Sequence, residues 1–100
     1  MTKKYVYVVT EMKVRRSDSS HWRTVILGVY SSEERAIEVM TKAADEKKEE
    51  LDRNLKGTRF ENDVEMTKWG SEKEIVVAET YGGDADSFTY AVDGAYCVDD

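Results

Sequence analysis

Proline is absent from this chain of 100 residues, and cysteine and histidine occur once each, as Cys97 and His21. One cysteine cannot close an internal disulfide, so the fold must hold by packing, and the reducing cytoplasm is the expected compartment. A single histidine, with Asp18 as its nearest carboxylate, supplies neither a metal-ligand cluster nor a paired general base. Asp93, Asp99 and Asp100 surround Cys97 in sequence and would raise the pKa of its thiol, which argues against a nucleophile. The six glycines form neither GxGxxG nor GxxxxGK, so phosphate-cradling loops are missing. Asp84-Ala85-Asp86 starts like a calcium loop, but Phe88, Thr89 and Ala95 stand where ligands and the turn glycine belong. No apolar run reaches the roughly eighteen residues that a membrane-spanning helix needs, and no h-region follows Lys3-Lys4, so no signal peptide is expected. These absences leave no cofactor, no metal and no enzymatic constellation to build on.

What is present is a foldable amphipathic chain. It is 40% hydrophobic with ten aromatic residues, and 36% of its residues are charged. That composition suits one globular domain over residues 1–100 rather than a disordered polymer. The formal net charge of −6 is unevenly spread. Residues 1–30 carry six bases against Glu11 and Asp18, a net of +4. Residues 58–100 carry Arg59, Lys68 and Lys73 against eleven acids, a net of −8. Overall acidity makes nucleic acid an unexpected partner, because phosphate neutralisation needs clustered Lys and Arg.

Along the chain, alternation of β-branched and aromatic residues predicts a strand over Lys4–Val14 and a second over Trp22–Tyr30, paired as an antiparallel hairpin. Gly28 inside the second strand signals a bulge or a close approach. Ser31 followed by Glu34 reads as a capping box opening a helix of about 24 residues. Ala36, Ile37, Met40, Ala43, Ala44, Leu51 and Leu55 form its apolar stripe, interrupted by Lys47 and Lys48, and Gly57 stops it. A helix of this length, near 36 Å, is expected to overhang its sheet or to rest on another subunit. Phe60, Val64 and Met66 then alternate with acids, Trp69-Gly70-Ser71-Glu72 reads as a turn, and Glu74–Tyr81 is another strand. Asp93-Gly94, between Phe88–Val92 and Ala95–Val98, favours a two-residue hairpin turn. The order β-β-α-β-β-β predicts an α+β fold, an antiparallel sheet of five or six strands with one long helix on one face.

Two surfaces are candidates for binding. The hairpin tip interleaves Lys13, Arg15, Arg16 and Arg23 with Trp22, a pattern that can grip an anionic backbone and stack a base. The acidic C-terminal half sets Trp69, Tyr81, Tyr90 and Tyr96 among carboxylates that include Asp84 and Asp86, which suits a basic protein partner. The face away from the helix is expected to carry Tyr5, Tyr7, Val9, Trp22, Ile26 and Tyr30, an apolar set that calls for the C-terminal strands or a second copy to cover it.

The junction Leu27-Gly28-Val29-Tyr30-Ser31-Ser32-Glu33-Glu34-Arg35-Ala36, after a Tyr-Val-Val strand, resembles small phage-encoded and bacterial proteins of unknown function. The resemblance spans residues 4 to about 45 and implies a phage or mobile-element context, without site residues to carry over. The leading expectation is a non-enzymatic interaction protein that binds a host protein or itself, with a homodimer as one form. The alternatives are a phage-type inhibitor of a host nucleic-acid-processing or defence protein, and a nucleic-acid module using the tip at 13–23.

Overall fold

The computed structural model describes residues 3–15, 22–70, 73–80 and 86–99. Its elements are β1 (Lys3–Arg15), β2 (Trp22–Tyr30), α1 (Glu33–Leu55), β3 (Val64–Trp69), β4 (Glu74–Glu79) and β5 (Asp86–Asp99). The strands form one antiparallel sheet in the order β2-β1-β5-β4-β3, and α1 lies across one face. The α+β class and the element order agree with the sequence periodicity.

Four local features differ from expectation. The cap of α1 is Ser32, whose side chain accepts the Arg35 N–H at 3.2 Å; Ser31 lies outside the helix. Residue three after the true cap is therefore Arg35, so no capping box forms; Glu33 and Glu34 sit where the helix dipole favours acids, and Glu33 also pairs with Lys73 at 3.2 Å. Phe60 belongs to the turns that follow the helix, with Gly57 and Asn62 at positive φ, and β3 begins only at Val64.

The third difference is larger. No hairpin forms at Asp93-Gly94: β5 runs straight through and pairs with β1 from Arg15↔Asp86 to Lys3↔Asp99. Between Val8↔Asp93 and Val6↔Tyr96, Gly94 and Ala95 oppose Tyr7 alone, which makes the dipeptide a bulge. A β-carbon on Gly94 would meet Tyr7 Cδ1 at 2.6 Å and the Val6 carbonyl oxygen at 3.1 Å, so glycine admits the ring. Continuing the strand gives the backbone of Lys3–Val6 a partner that a hairpin would remove.

Finally, the helix does not overhang. Leu51 and Leu55 are buried near its end, and Lys47 continues the stripe by laying its stem on the core, with Nζ 4.6 Å from the Phe88 ring centroid. The overhang belongs to the sheet. Strands of 13 and 14 residues reach about 45 Å, against about 35 Å for the 23-residue helix. Pairing to β2 stops at Tyr7↔Tyr30 and pairing to β4 at Ala91↔Glu74, so Lys3–Val6 and Tyr96–Asp99 continue as a two-stranded ribbon.

The core lies between α1 and one sheet face. Ala36, Met40 and Ala44 of the helix meet Val9, Ile75, Val77, Phe88, Tyr90 and Val92, all buried. Register explains the choice of face. Val9, Glu11 and Lys13 stand opposite Val92, Tyr90 and Phe88, whereas Thr10, Met12 and Val14 stand opposite Ala91, Thr89 and Ser87. The bulky residues of β5 are all on the first side, and the helix goes there.

Candidate functional site

The other face of the sheet has no described element over it. In β1 it carries Val6, Val8, Thr10, Met12 and Val14, the alternation that also buries Val9 on the reverse side. Val29 stands beside Val8 and Ile26 beside Thr10 on β2. On the other flank are Tyr96, Ala91, Thr89 and Ser87 of β5, then Val76 and Ala78 of β4, and Thr67 and Trp69 of β3. Ile26 is 65% exposed, Trp69 58%, Val29 55% and Tyr96 52%. Lys4 stands on the ribbon and Glu65 on the edge strand, Glu74 lies between Ala91 and Trp69, and Asp93 stands beside Val8 on the central strand β5. The result is a mixed but largely apolar surface about five strands wide.

This open face differs from the one expected. Tyr7 and Tyr30 pack at the edge of the core and Val9 is sealed under α1, so those three lie on the covered side. Tyr5 shares that side but projects beyond the helix on the ribbon, 52% exposed. Ile26 does lie on the open face. The cause is a bulge in β2: Val9 pairs with Gly28 and Thr10 with Ile26, which leaves Leu27 as an extra residue and inverts the alternation across it. Gly28 also receives the folded-back Tyr30 ring, whose hydroxyl and ring carbons occupy the space of a β-carbon. Bulge and close approach thus coincide at one glycine.

A second feature sits on the covered side, where α1 leaves β2 partly uncovered. A cleft of about 530 Å³ runs between Glu46, Lys47, Glu50 and Arg53 of the helix and Glu11, Leu27 and Tyr90 of the sheet. An adjoining hollow of about 400 Å³ brings in Lys13, Arg23 and Val25. At the floor the Tyr90 hydroxyl donates to Glu11 Oε2 at 2.5 Å. Burial of the phenol, then its bond to Glu11 and the charges of Glu11 and Glu50, push the Tyr90 pKa well above its ordinary value. Lys47 donates to Glu50 at 2.9 Å, and that bond and charge hold the Glu50 carboxyl below its usual range. Each of these groups is engaged by a neighbour, so the cleft reads as a satisfied polar seam along the core edge. Glu11 was legible in outline, as a carboxylate inside an otherwise apolar alternation; its partner Tyr90 was not.

The two expected surfaces are dispersed. Of the acidic and aromatic set, Tyr90 is buried beneath α1, while Trp69 and Tyr96 lie on the open face. Asp86 is half-buried, with an oxygen 3.5 Å from Lys13 Nζ. Tyr81 and Asp84 lie outside the described residues. Of the basic set, Lys13 and Arg23 are cross-strand neighbours beside the hollow, and Lys13 Nζ is 5.7 Å from the Phe88 ring centroid. Arg15 and Trp22 are placed by backbone alone, at the ends of their strands, and Arg16 and His21 lie outside the described residues. Among the described residues, no helix is long and apolar enough to cross a membrane.

Fold and surface together define a class: a single antiparallel sheet, covered by one helix on one side and with no described element over the other. The chain belongs to the family described as Domain of unknown function (DUF7336), whose model matches residues 4–70. That stretch holds β1, β2, α1 and β3, which occupy both edges of the sheet, while β5 and β4, lying between them, come from beyond it. No curated protein and no solved structure matches the chain significantly.

Proposed function

We propose that this protein is a non-enzymatic interaction module that acts by binding protein through the open face of its sheet. The observation that carries the reading is the exposure of Ile26, Val29, Tyr96, Val98 and Trp69 on one face of the sheet that no described element covers. Monomeric proteins rarely leave so continuous an apolar area in water, because each exposed square ångström forgoes roughly 25 cal/mol. The acidity of the C-terminal half contributes through Glu65 and Glu74 toward the β3 side and Asp93 on the central strand, which can orient a partner that carries matching positive charge.

A photo-crosslinking amino acid placed at Ile26, with a control at the exposed helix residue Glu38, tests the reading. Irradiation in the producing cell should give protein adducts from position 26 and none from 38. Absence of any protein adduct at 26, or equal labelling at both positions, overturns it.

A further inference from the structure

The relief of the open face is uneven, and that unevenness selects an occupant. On the β1–β2 half stand Val6, Val8, Met12, Val14, Ile26 and Val29, a ridge of branched and long side chains. On the β5–β4 half Ser87, Thr89, Ala91 and Ala78 form a shallow of small ones, bounded by Asp93 and Tyr96 on β5 and by Val76 and Glu74 on β4. Ridge and shallow lie side by side, divided by the β1/β5 seam. A twofold axis lying in the plane of contact and running along that seam exchanges the two halves. It sets each copy's ridge over the other's shallow.

We propose that a second copy of this chain covers the open face, sheet on sheet, about a twofold axis parallel to the β1/β5 seam. The proposal rests on the protein-binding reading of this face and names its partner. Two observations carry it beyond relief. Area is the first: five strands about 4.8 Å apart, with about 30 Å of usable length, offer roughly 700 Å² per copy, close to the roughly 800 Å² per partner of a standard stable interface. Asp93, beside the seam on β5, then comes near its counterpart across the axis, a like-charge cost that the apolar contact has to offset. The ribbon is the second. Lys3–Val6 and Tyr96–Asp99 project past every other strand, and a two-stranded ribbon by itself is marginal in water. An axis along the strands lays one ribbon on the other and brings Val6, Tyr96 and Val98 of each copy into contact. An axis across the strands would send the ribbons to opposite ends and leave both bare. Aligned packing of two sheets at about 10 Å is the geometry of a β-sandwich, here assembled from two chains.

The single cysteine makes the geometry measurable. Cys97 is exposed on the ribbon and can carry a nitroxide label without any substitution. Sedimentation equilibrium across the micromolar range should show the mass rising from 11.5 kDa toward twice that value. Ile26→Lys and Val29→Lys, at positions 65% and 55% exposed in the single chain, should weaken association by about tenfold or more with an unchanged circular-dichroism spectrum. Pulsed electron–electron resonance on labelled Cys97 should give a distance of about 20–30 Å, since the ribbons stack. A distance beyond about 40 Å, in a molecule 58 Å long, means crossed ribbons and overturns the proposed axis. A mass of 11.5 kDa at every concentration, or dimers indifferent to both lysine substitutions, overturns the second copy as occupant. In that event, crosslinking from Ile26 to a protein of different mass would still uphold the protein-binding reading, and no adduct at all would remove both.

Discussion

Val8 and Val9 are adjacent in β1 and chemically identical, yet Val9 is fully buried beneath α1 while Val8 lies on the face that no described element covers. The same contrast holds across the sheet, with Ile75 and Val77 sealed and Val76 between them only half-buried. A strand presents alternate residues to opposite sides, so a run of consecutive valines and isoleucines makes both faces apolar. One helix covers one of them. The two faces, one covered by the helix and one with no described element over it, differ in energy, and that difference can be measured.

The largest effect should come from the covered side. Ile75→Ala removes a side chain that is 1% exposed and leaves a cavity under the helix, at a cost of about 2–5 kcal/mol in urea unfolding. A loss below about 1 kcal/mol would mean that the helix seals this face less tightly than its burial implies.

At the edge of the same side, Tyr90→Phe should cost about 1–2 kcal/mol, because Glu11 loses its donor while keeping partial access to water. The pH dependence follows from the raised phenol pKa. The neutral phenol is favoured in the folded state, so its contribution is complete below the ordinary tyrosine pKa of about 10 and is lost as pH rises above it. Wild type should therefore lose stability more steeply than Tyr90→Phe in the alkaline range, as read by unfolding midpoints between about pH 9 and 11.

Helix capping sharpens the comparison by testing what holds the cover itself. Ser32→Ala should destabilise by about 1 kcal/mol, whereas Ser31→Ala should stay within about 0.5 kcal/mol. Equal effects at the two serines would return the cap to Ser31.

Smallest of all is Ile26→Ala on the open face. In dilute protein it should change unfolding stability by no more than about 0.5 kcal/mol, in contrast with the same substitution at Ile75. A cost comparable to that of Ile75→Ala at every protein concentration would show that the face is covered within one chain.

Much of the architecture was legible because short-range rules govern it. Alternation at a period of two set the strands of residues 4–14 and 22–30, a strand expected over 74–81 is observed as Glu74–Glu79, and the stripe from Ala36 to Leu55 set the helix to within a residue of its observed end. The misplaced cap, Ser31 for Ser32, arose because two adjacent serines each precede acids, and only the turn out of β2 decides between them. Asp93-Gly94 carried the composition of a hairpin turn. It became a bulge because β1 extends far enough to pair with residues on both sides of it, a long-range fact that local composition does not contain.

The candidate surfaces followed the same division. That the sheet would have a second apolar face away from the helix was readable from one helix and doubly apolar strands; that the C-terminal strands join the sheet instead of folding over that face was not. Which residues make it up was not, because the Leu27 bulge inverts the alternation of β2 and the bulky side of β5 chooses where the helix lies. Composition, charge asymmetry, strand and helix identity and the lack of a catalytic motif were determined by the sequence alone, since each depends on residues within a few positions of one another. Strand order, the insertion of β5 between β1 and β4, the burial of Tyr90 against Glu11 and the ridge-and-shallow relief of the open face were decided by tertiary structure. Each of these depends on register between segments far apart in the chain, as far as Lys3 and Asp99, which packing sets and local propensity does not.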